Sequence, residues 1–300
     1  MKAVQLYGYG DVDQLHYEDV PDPKPGPDEV LVKVAGASIN PVDWKLRQGH
    51  LKDVMPLHFP VILGRDASGE IVSVGQNVHD LKVGQKVLGL VNGAYAEYVA
   101  AKTTAFGRLP EGFDVESAGV LPLVTLTGTQ LIERAVKPKA GDTVLVTGAL
   151  GGVGRSAVHA AKKLGAKVIA GVRANQKKEA ESLGVDGIVA LDDERELASL
   201  KDLDAVADTV GGDVAVKLIS KLKKSGVFGS VLGKPKTDRD DVRIEPIYTQ
   251  PDSARLEQLA KDVQNGEFTI PIARRFRLSE IREAHRVAEK GVSGKVLLVP

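Results

Sequence analysis

The 300-residue chain contains no cysteine, which excludes disulfides, thiolate nucleophiles, iron–sulfur clusters and cysteine-ligated zinc. It has no net charge either: 40 Lys and Arg balance 40 Asp and Glu, and aromatic residues make up only 4%. The footprint of a protein that holds nucleic acid or an anionic membrane by bulk charge is missing. No apolar run approaches the roughly 18 residues of a membrane span, and the start, MKAVQLYGYGDVD, lacks the hydrophobic region of a signal peptide. These absences lead us to expect a cytoplasmic protein that meets small molecules or copies of itself, with no nucleic acid and no membrane.

What the chain does have is 43% hydrophobic residues, enough for a core in each of the two domains that a length of about 150 residues per domain suggests. Its 32 glycines punctuate short Val/Ile/Leu runs. From Met1 to about Val120 these runs (AVQL, EVLVKVAGASI, GEIVSVG, KVLGLV, AYAEYVAA) read as strands separated by Gly, Pro and Asn turns, and this part is expected to be mostly β and barrel-like. From about Thr125 the pattern changes. LTGTQLIERAV reads as a helix, and TVLVTG, KVIAGV, GIVAL, AVADTV and VFGSVL read as strands alternating with helical segments. That alternation predicts an α/β fold with a Rossmann-type, doubly wound parallel sheet. RIEPIYTQ reads as a further strand, followed by the helix SARLEQLAKDVQNG, the segment PIARRFRL, the helix SEIREAHRVAEKG and a closing strand GKVLLV.

The strongest local signal is TVLVTGALGGVGRSAVHAAKKLG, where a β-branched run turns through glycines directly into an amphipathic helix. Such a turn aims free backbone N–H groups and the positive end of a helix at a pyrophosphate. Written as G-x-G-x-x-G, residues 149–154 have Ala149 in the first place, then Gly151 and Gly154, with Gly152 extra and Val153 entering the helix. An NAD site usually carries an acid about 20 residues further on. Here the next strand ends in Gly171, Val172, Arg173, followed by Ala174, Asn175, Gln176 and Lys177. No carboxylate stands in this run to repel a 2′-phosphate, and Arg173 and Lys177 are candidates to bind one, so NADPH is the expected cofactor. Val210, Val231, Leu232 and Gly233 fall at strand ends, where ligands bind in open α/β sheets.

TGALGGVG also fits T-G-x-x-x-G-x-G, the short-chain dehydrogenase pattern, and Tyr98 to Lys102 reads Tyr-x-x-x-Lys. In that family, however, the tyrosine and lysine follow the glycines on a helix, whereas Tyr98 precedes them in an alternating strand. Tyr98 and Lys102 are therefore read as structural.

The order of a β-rich part, a Rossmann-type part and a short return to the first resembles the medium-chain dehydrogenase/reductase superfamily, in its zinc-independent quinone oxidoreductase and enone (2-alkenal) reductase branch. The resemblance runs along the whole chain through ASINPVDWKLRQG, GRDASGEIVSVG, VGQKVLG, GAYAEYV, LPLVTLTGTQ, the glycine turn and SGKVLLV. It implies a GroES-like catalytic domain over residues 1–120 and 251–300 and a Rossmann-type NADP-binding domain over 121–250. Zinc-dependent relatives have Gly-His-Glu where this chain has Gly64, Arg65 and Asp66, and the six histidines form no metal-ligand spacing.

Without a metal, a substrate that spreads hydride-derived charge through a conjugated enolate or phenolate is favoured over a simple ketone. The resemblance thus implies NADPH-dependent reduction of quinones or α,β-unsaturated carbonyls at the domain cleft. It puts Asn40 and Lys45 forward as catalytic residues, with Lys45 beside the cofactor as well. Asp43 and Arg47 are expected to hold that loop together as an ion pair, and Asp66 to be structural. Thr127, taken to open the first Rossmann helix, is a candidate cofactor contact, and the Arg274, Arg275, Arg277 cluster reads as a solvated face. RIEPIYTQ matches the edge where the superfamily extends its sheet across a homodimer. A second reading is an NADPH sensor, or a binder of AU-rich RNA as some ζ-crystallin relatives are, with little turnover.

Overall fold

The structure, a computed structural model, describes all 300 residues. The N-terminal stretch forms β1 (Lys2–Leu6), β2 (Leu15–Asp19), β3 (Glu29–Ile39), α1 (Pro41–Arg47), β4 (Val61–Ile62), β5 (Asp66–Val74), β6 (Lys86–Leu90), β7 (Tyr98–Lys102) and β8 (Phe106–Arg108). There follow α2 (Pro122–Gln130), β9 (Thr143–Thr147), α3 (Gly152–Lys163), β10 (Lys167–Val172), α4 (Lys177–Ala180), β11 (Gly187–Ala190), α5 (Glu194–Ser199), β12 (Leu203–Asp208), α6 (Gly212–Ile219), β13 (Leu222–Ser230) and β14 (Arg243–Pro246). The chain closes with α7 (Ser253–Gln264), β15 (Ile272–Arg277), α8 (Ile281–Glu289) and β16 (Lys295–Val299). Two compact units result, one of Met1–Leu123, Pro251–Gly266 and Ile270–Pro300, the other of Val124–Gln250 and Glu267–Thr269.

The first unit is built around β3. Its alternating valines Val30, Val32 and Val34 are buried, as period-2 patterning on a half-buried strand requires. It pairs antiparallel with β5, β7 and β16, and the resulting seven-stranded sheet runs β15-β16-β3-β5-β6-β8 with β7 also on β3. Its apolar interior includes Val32, Ile71, Val87, Val99, Phe106 and Leu298, each contributing about 1.5–3 kcal/mol by leaving water. Tyr98 and Lys102 lie at the two ends of β7, and four residues of strand separate them by about 13 Å, whereas one helical turn would make them neighbours.

The second unit carries a six-stranded parallel sheet in the order β11-β10-β9-β12-β13-β14. The order reverses beside β9, so β9 and β12 form the switch point at which open α/β sheets take ligands. Alternate residues of β9 serve opposite faces: Val144 and Val146 pack with Ala157, Val158 and Ala161 of α3, while Leu145 packs with Val206, Leu218 and Phe228. One expectation needs correction here. Thr127 does not open its helix, because Pro122, pre-set for a first helical position, starts α2 five residues earlier. The segment NQKKEAESLG folds as a four-residue α4 between two 3-10 turns.

Candidate active site

The candidate residues fall into two groups, one on each unit. In the Rossmann-type unit β9 runs into the glycine turn, and the left-handed conformation it needs falls on Gly148 (φ +59°) rather than on position 149. Ala149 is fully buried, and its N–H donates to the Gly171 carbonyl at 3.2 Å. Gly151 is the N-cap of α3, and Gly152 and Val153 form its first turn, whose N–H groups have no carbonyl one turn back. A Cβ on Gly154 would stand 2.1 Å from the Gly148 carbonyl oxygen and 2.7 Å from the Ala149 Cα. Only glycine therefore allows α3 to press this closely on the turn, whose free N–H groups are of the kind that can hold a pyrophosphate.

Sequence reading missed the side chains that hold this turn. Arg155, nearly buried, donates from Nε to the Leu150 carbonyl (3.0 Å) and pairs with Glu179 (3.1 Å). The buried Asp208 at the end of β12 accepts from Thr147 Oγ1 (2.9 Å), Ser230 Oγ (3.1 Å) and Gly211 N (3.0 Å). Three strand ends are thereby tied to one carboxylate. Beyond it Val210 and Leu232 are half exposed, Val231 is partly buried, and Gly233 has φ +98°. Thr127 is nearly buried, with its hydroxyl 2.6 Å from that of Thr249.

At the end of β10, Arg173 is exposed and its guanidinium has no protein partner. Lys177 is committed, its ammonium lying 2.8 and 2.9 Å from the two carboxylate oxygens of Glu196. Folding also brings a carboxylate here that the local run of sequence lacks: Asp192 Oδ1 accepts from the Ala174 N–H at 2.8 Å.

In the other unit the candidates surround α1. Asn40, its N-cap, is fully buried. Its amide nitrogen donates to Asp66 Oδ2 (2.8 Å), and its amide oxygen accepts from the Lys295 ammonium (2.5 Å), which also donates to the Ile39 carbonyl (2.9 Å). Asp66 accepts in addition from Ser38 Oγ (2.6 Å) and from the Leu123 N–H (2.6 Å). Asn40 thus has both ends of its amide engaged inside the protein. Lys45 is half-buried on the same helix, and its ammonium makes no hydrogen bond or ion pair.

The expected Asp43–Arg47 ion pair is absent. Asp43 accepts from the Asn40 N–H (2.8 Å) and the Tyr95 hydroxyl (2.9 Å), whereas the buried Arg47 pairs with Glu289 at 2.5 Å and Asp11 at 3.5 Å. Each group has found a nearer partner of the needed kind, so their i,i+4 spacing goes unused. Burial pushes the Asp43 carboxyl up to about 7, although the bonds from Asn40 and Tyr95 oppose the shift. It also pushes His285, which stands edge-on to the Tyr95 ring, down to about 3, with the positive Arg47 adding to the effect. Burial lowers Lys295 against the pull of Asp66 and Asp43. Arg274 and Arg275 lie exposed on β15, and Arg275 is paired with Glu116 at 3.1 Å.

Comparison with known proteins agrees with this architecture. Residues 26–111 match the family model described as alcohol dehydrogenase GroES-like domain, and residues 183–298 match the one described as zinc-binding dehydrogenase. The chain is 30% identical to quinone-oxidoreductase QR1, chloroplastic, of Triphysaria versicolor, over 100% of this chain and 98% of that protein. It is 36% identical to the NADPH-dependent alkenal/one oxidoreductase, chloroplastic, of Arabidopsis thaliana, over 74% of this chain and 60% of that protein. The solved quinone oxidoreductase from Coxiella burnetii superposes with a TM-score of 0.89 at 32% identity, covering 100% of this chain and 99% of that one. The chain belongs to the medium-chain dehydrogenase/reductase superfamily, in its quinone oxidoreductase and enone reductase branch. It is accordingly an oxidoreductase working with a nicotinamide cofactor. No helix is long and apolar enough to cross a membrane.

Proposed function

We propose that the protein is an NADPH-dependent reductase of quinones or α,β-unsaturated carbonyls, and that it works without zinc. The observation that carries this reading is the Gly148–Gly154 cradle with the unpartnered Arg173 at the end of the next strand. The relatives' names support the acceptor class and the phosphorylated cofactor.

Zinc does not fit the residues that stand in place of the zinc relatives' ligands. Arg65, in the place of the zinc relatives' histidine, is a cation hydrogen-bonded to Asn92. Asp66, in the place of their glutamate, has its carboxylate committed to Ser38, Asn40 and the Leu123 N–H. The chain has no cysteine to complete a ligand set.

When bound, the nicotinamide supplies the hydride. The chain's own part is to hold and polarise the acceptor. A conjugated acceptor leaves its negative charge spread over an enolate or phenolate, so one well-placed donor suffices. Lys45 is assigned that role because its ammonium is uncommitted. Asn40, with its amide fully engaged, is assigned to positioning: it fixes the start of the helix that carries Lys45. The apolar Val210, Val231 and Leu232 suit packing against an aromatic ring. We also assign a homodimer, paired through the open edge of β14, where Tyr248 is 82% exposed; light scattering giving the monomer mass would remove that assignment.

The deciding assay follows NADPH absorbance with chelator-treated protein and a simple quinone, a 2-alkenal or a saturated ketone, repeated with NADH. Oxidation with the conjugated acceptors but not the ketone is expected, with kcat falling in Lys45→Ala by about 100- to 1,000-fold. Silence with every acceptor despite saturable NADPH binding would overturn the reading.

A further inference from the structure

We infer that Glu196 sets how sharply this protein distinguishes NADPH from NADH, by holding the Lys177 ammonium away from a 2′-phosphate. The inference rests on the cofactor reading above and adds a specificity-determining residue to it. Two cations stand near the end of β10, and the structure treats them differently. Arg173 is exposed and unpartnered, whereas Lys177 contacts both oxygens of one carboxylate at 2.8 and 2.9 Å.

That carboxylate is held in place independently of the lysine. Glu196 also accepts from the Ala190 N–H at the end of β11 (2.9 Å). The start of its helix is fixed by Asp193, whose Oδ1 accepts from Arg195 N (2.8 Å) and Glu196 N (3.1 Å). The Lys177 bond keeps the Glu196 carboxyl below its usual range, so it carries its charge at neutral pH. A second carboxylate, Asp192, is bonded to the Ala174 N–H beside Arg173.

Arg173 and Lys177 therefore stand in this corner with the carboxylates Asp192 and Glu196 beside them. A 2′-phosphate would meet one free cation, and could recruit the second only in competition with Glu196. Hydrogen bonds to charged groups differ by amounts that correspond to roughly tenfold in affinity, so the choice Lys177 makes is large enough to set the preference. NADPH is favoured through Arg173 alone, and NADH is still accepted.

The test is isothermal titration of the full-length protein with NADP+ and NAD+, comparing wild type with Glu196→Gln, Lys177→Met and the double variant. Glutamine still accepts from the Ala190 N–H, and the side chains of the Lys177–Glu196 pair are 41% and 34% exposed, so the variants should melt within a few degrees of wild type. In Glu196→Gln the NADP+ dissociation constant should fall about fivefold or more, with NAD+ unchanged within about twofold, and the gain should vanish in the double variant. An equal change for both cofactors, no change for either, or a gain that persists without Lys177 would overturn the inference while leaving the cofactor reading standing. Binding of NAD+ with none of NADP+, in wild type and Glu196→Gln alike, would remove the cofactor reading and the inference with it.

Discussion

Replacing Asn40 by alanine separates a positioning role from a chemical one. The substitution removes an acceptor 2.5 Å from the Lys295 ammonium and a donor 2.8 Å from Asp66 Oδ2, both in fully enclosed surroundings. Each is a hydrogen bond to a charged group, worth about 1.5–3 kcal/mol. Their sum, about 3–6 kcal/mol, is an upper bound, because a water entering the vacated polar space would restore part of it. About 3 kcal/mol is the expected loss. For a unit of this size that lowers the melting midpoint by roughly 6–12 °C. Differential scanning calorimetry is the suitable assay, since a chain of two units need not unfold in one step. Turnover of the folded fraction, measured well below the transition, should fall through displacement of α1 and Lys45. A midpoint within about 2 °C of wild type, together with abolished turnover, would refute the reasoning and make Asn40 a substrate contact.

Further outcomes follow from the buried groups and the glycine turn. Asp43, raised to about 7, binds a proton in the folded protein that the unfolded chain has released, so its contribution is present below about pH 4 and is lost as pH rises through 7. His285, lowered to about 3, acts in the opposite sense: its contribution is present above about pH 6.5 and is lost as pH falls toward 3. Between about pH 4 and 6.5 the two offset each other, and Asp43→Asn should expose the histidine slope, up to about 1.4 kcal/mol per pH unit, in urea titrations across that range; a profile parallel to wild type would contradict it. Gly154→Ala forces a Cβ to within 2.1 Å of a carbonyl oxygen and should weaken NADP+ binding at least about tenfold while costing about 1–3 kcal/mol of stability; calorimetric titration with unchanged affinity would show that the turn yields. Asp208→Asn keeps the acceptor for Thr147 and should be mild, whereas Asp208→Ala frees three strand ends and should weaken both cofactors alike by roughly tenfold, as read by the same titration.

The division between what was legible and what was not follows sequence distance. The Gly148–Gly154 turn, the strand runs and the exposed Arg173 are local patterns, and the physics that shapes them acts within a few residues. The placement of Thr127 failed by a local signal overlooked, since Pro122 already marks where a helix starts. The Asp43–Arg47 pair failed for the opposite reason: the spacing permitted it, but Tyr95 and Glu289 arrived from distant chain.

By itself, then, the sequence determined the two kinds of secondary structure, the glycine turn between β9 and α3, the lack of thiolate chemistry and the superfamily. Only the tertiary structure decided which polar groups are free to act. Lys295 reaches Asn40 across 255 residues, Asp208 reaches Thr147 across 61, and Glu196 takes Lys177 across 19. A buried charge must find a partner, and which one it finds depends on what the fold brings within about 3 Å. That is why Asn40 is closed within the protein while Lys45, five residues on, keeps an ammonium free.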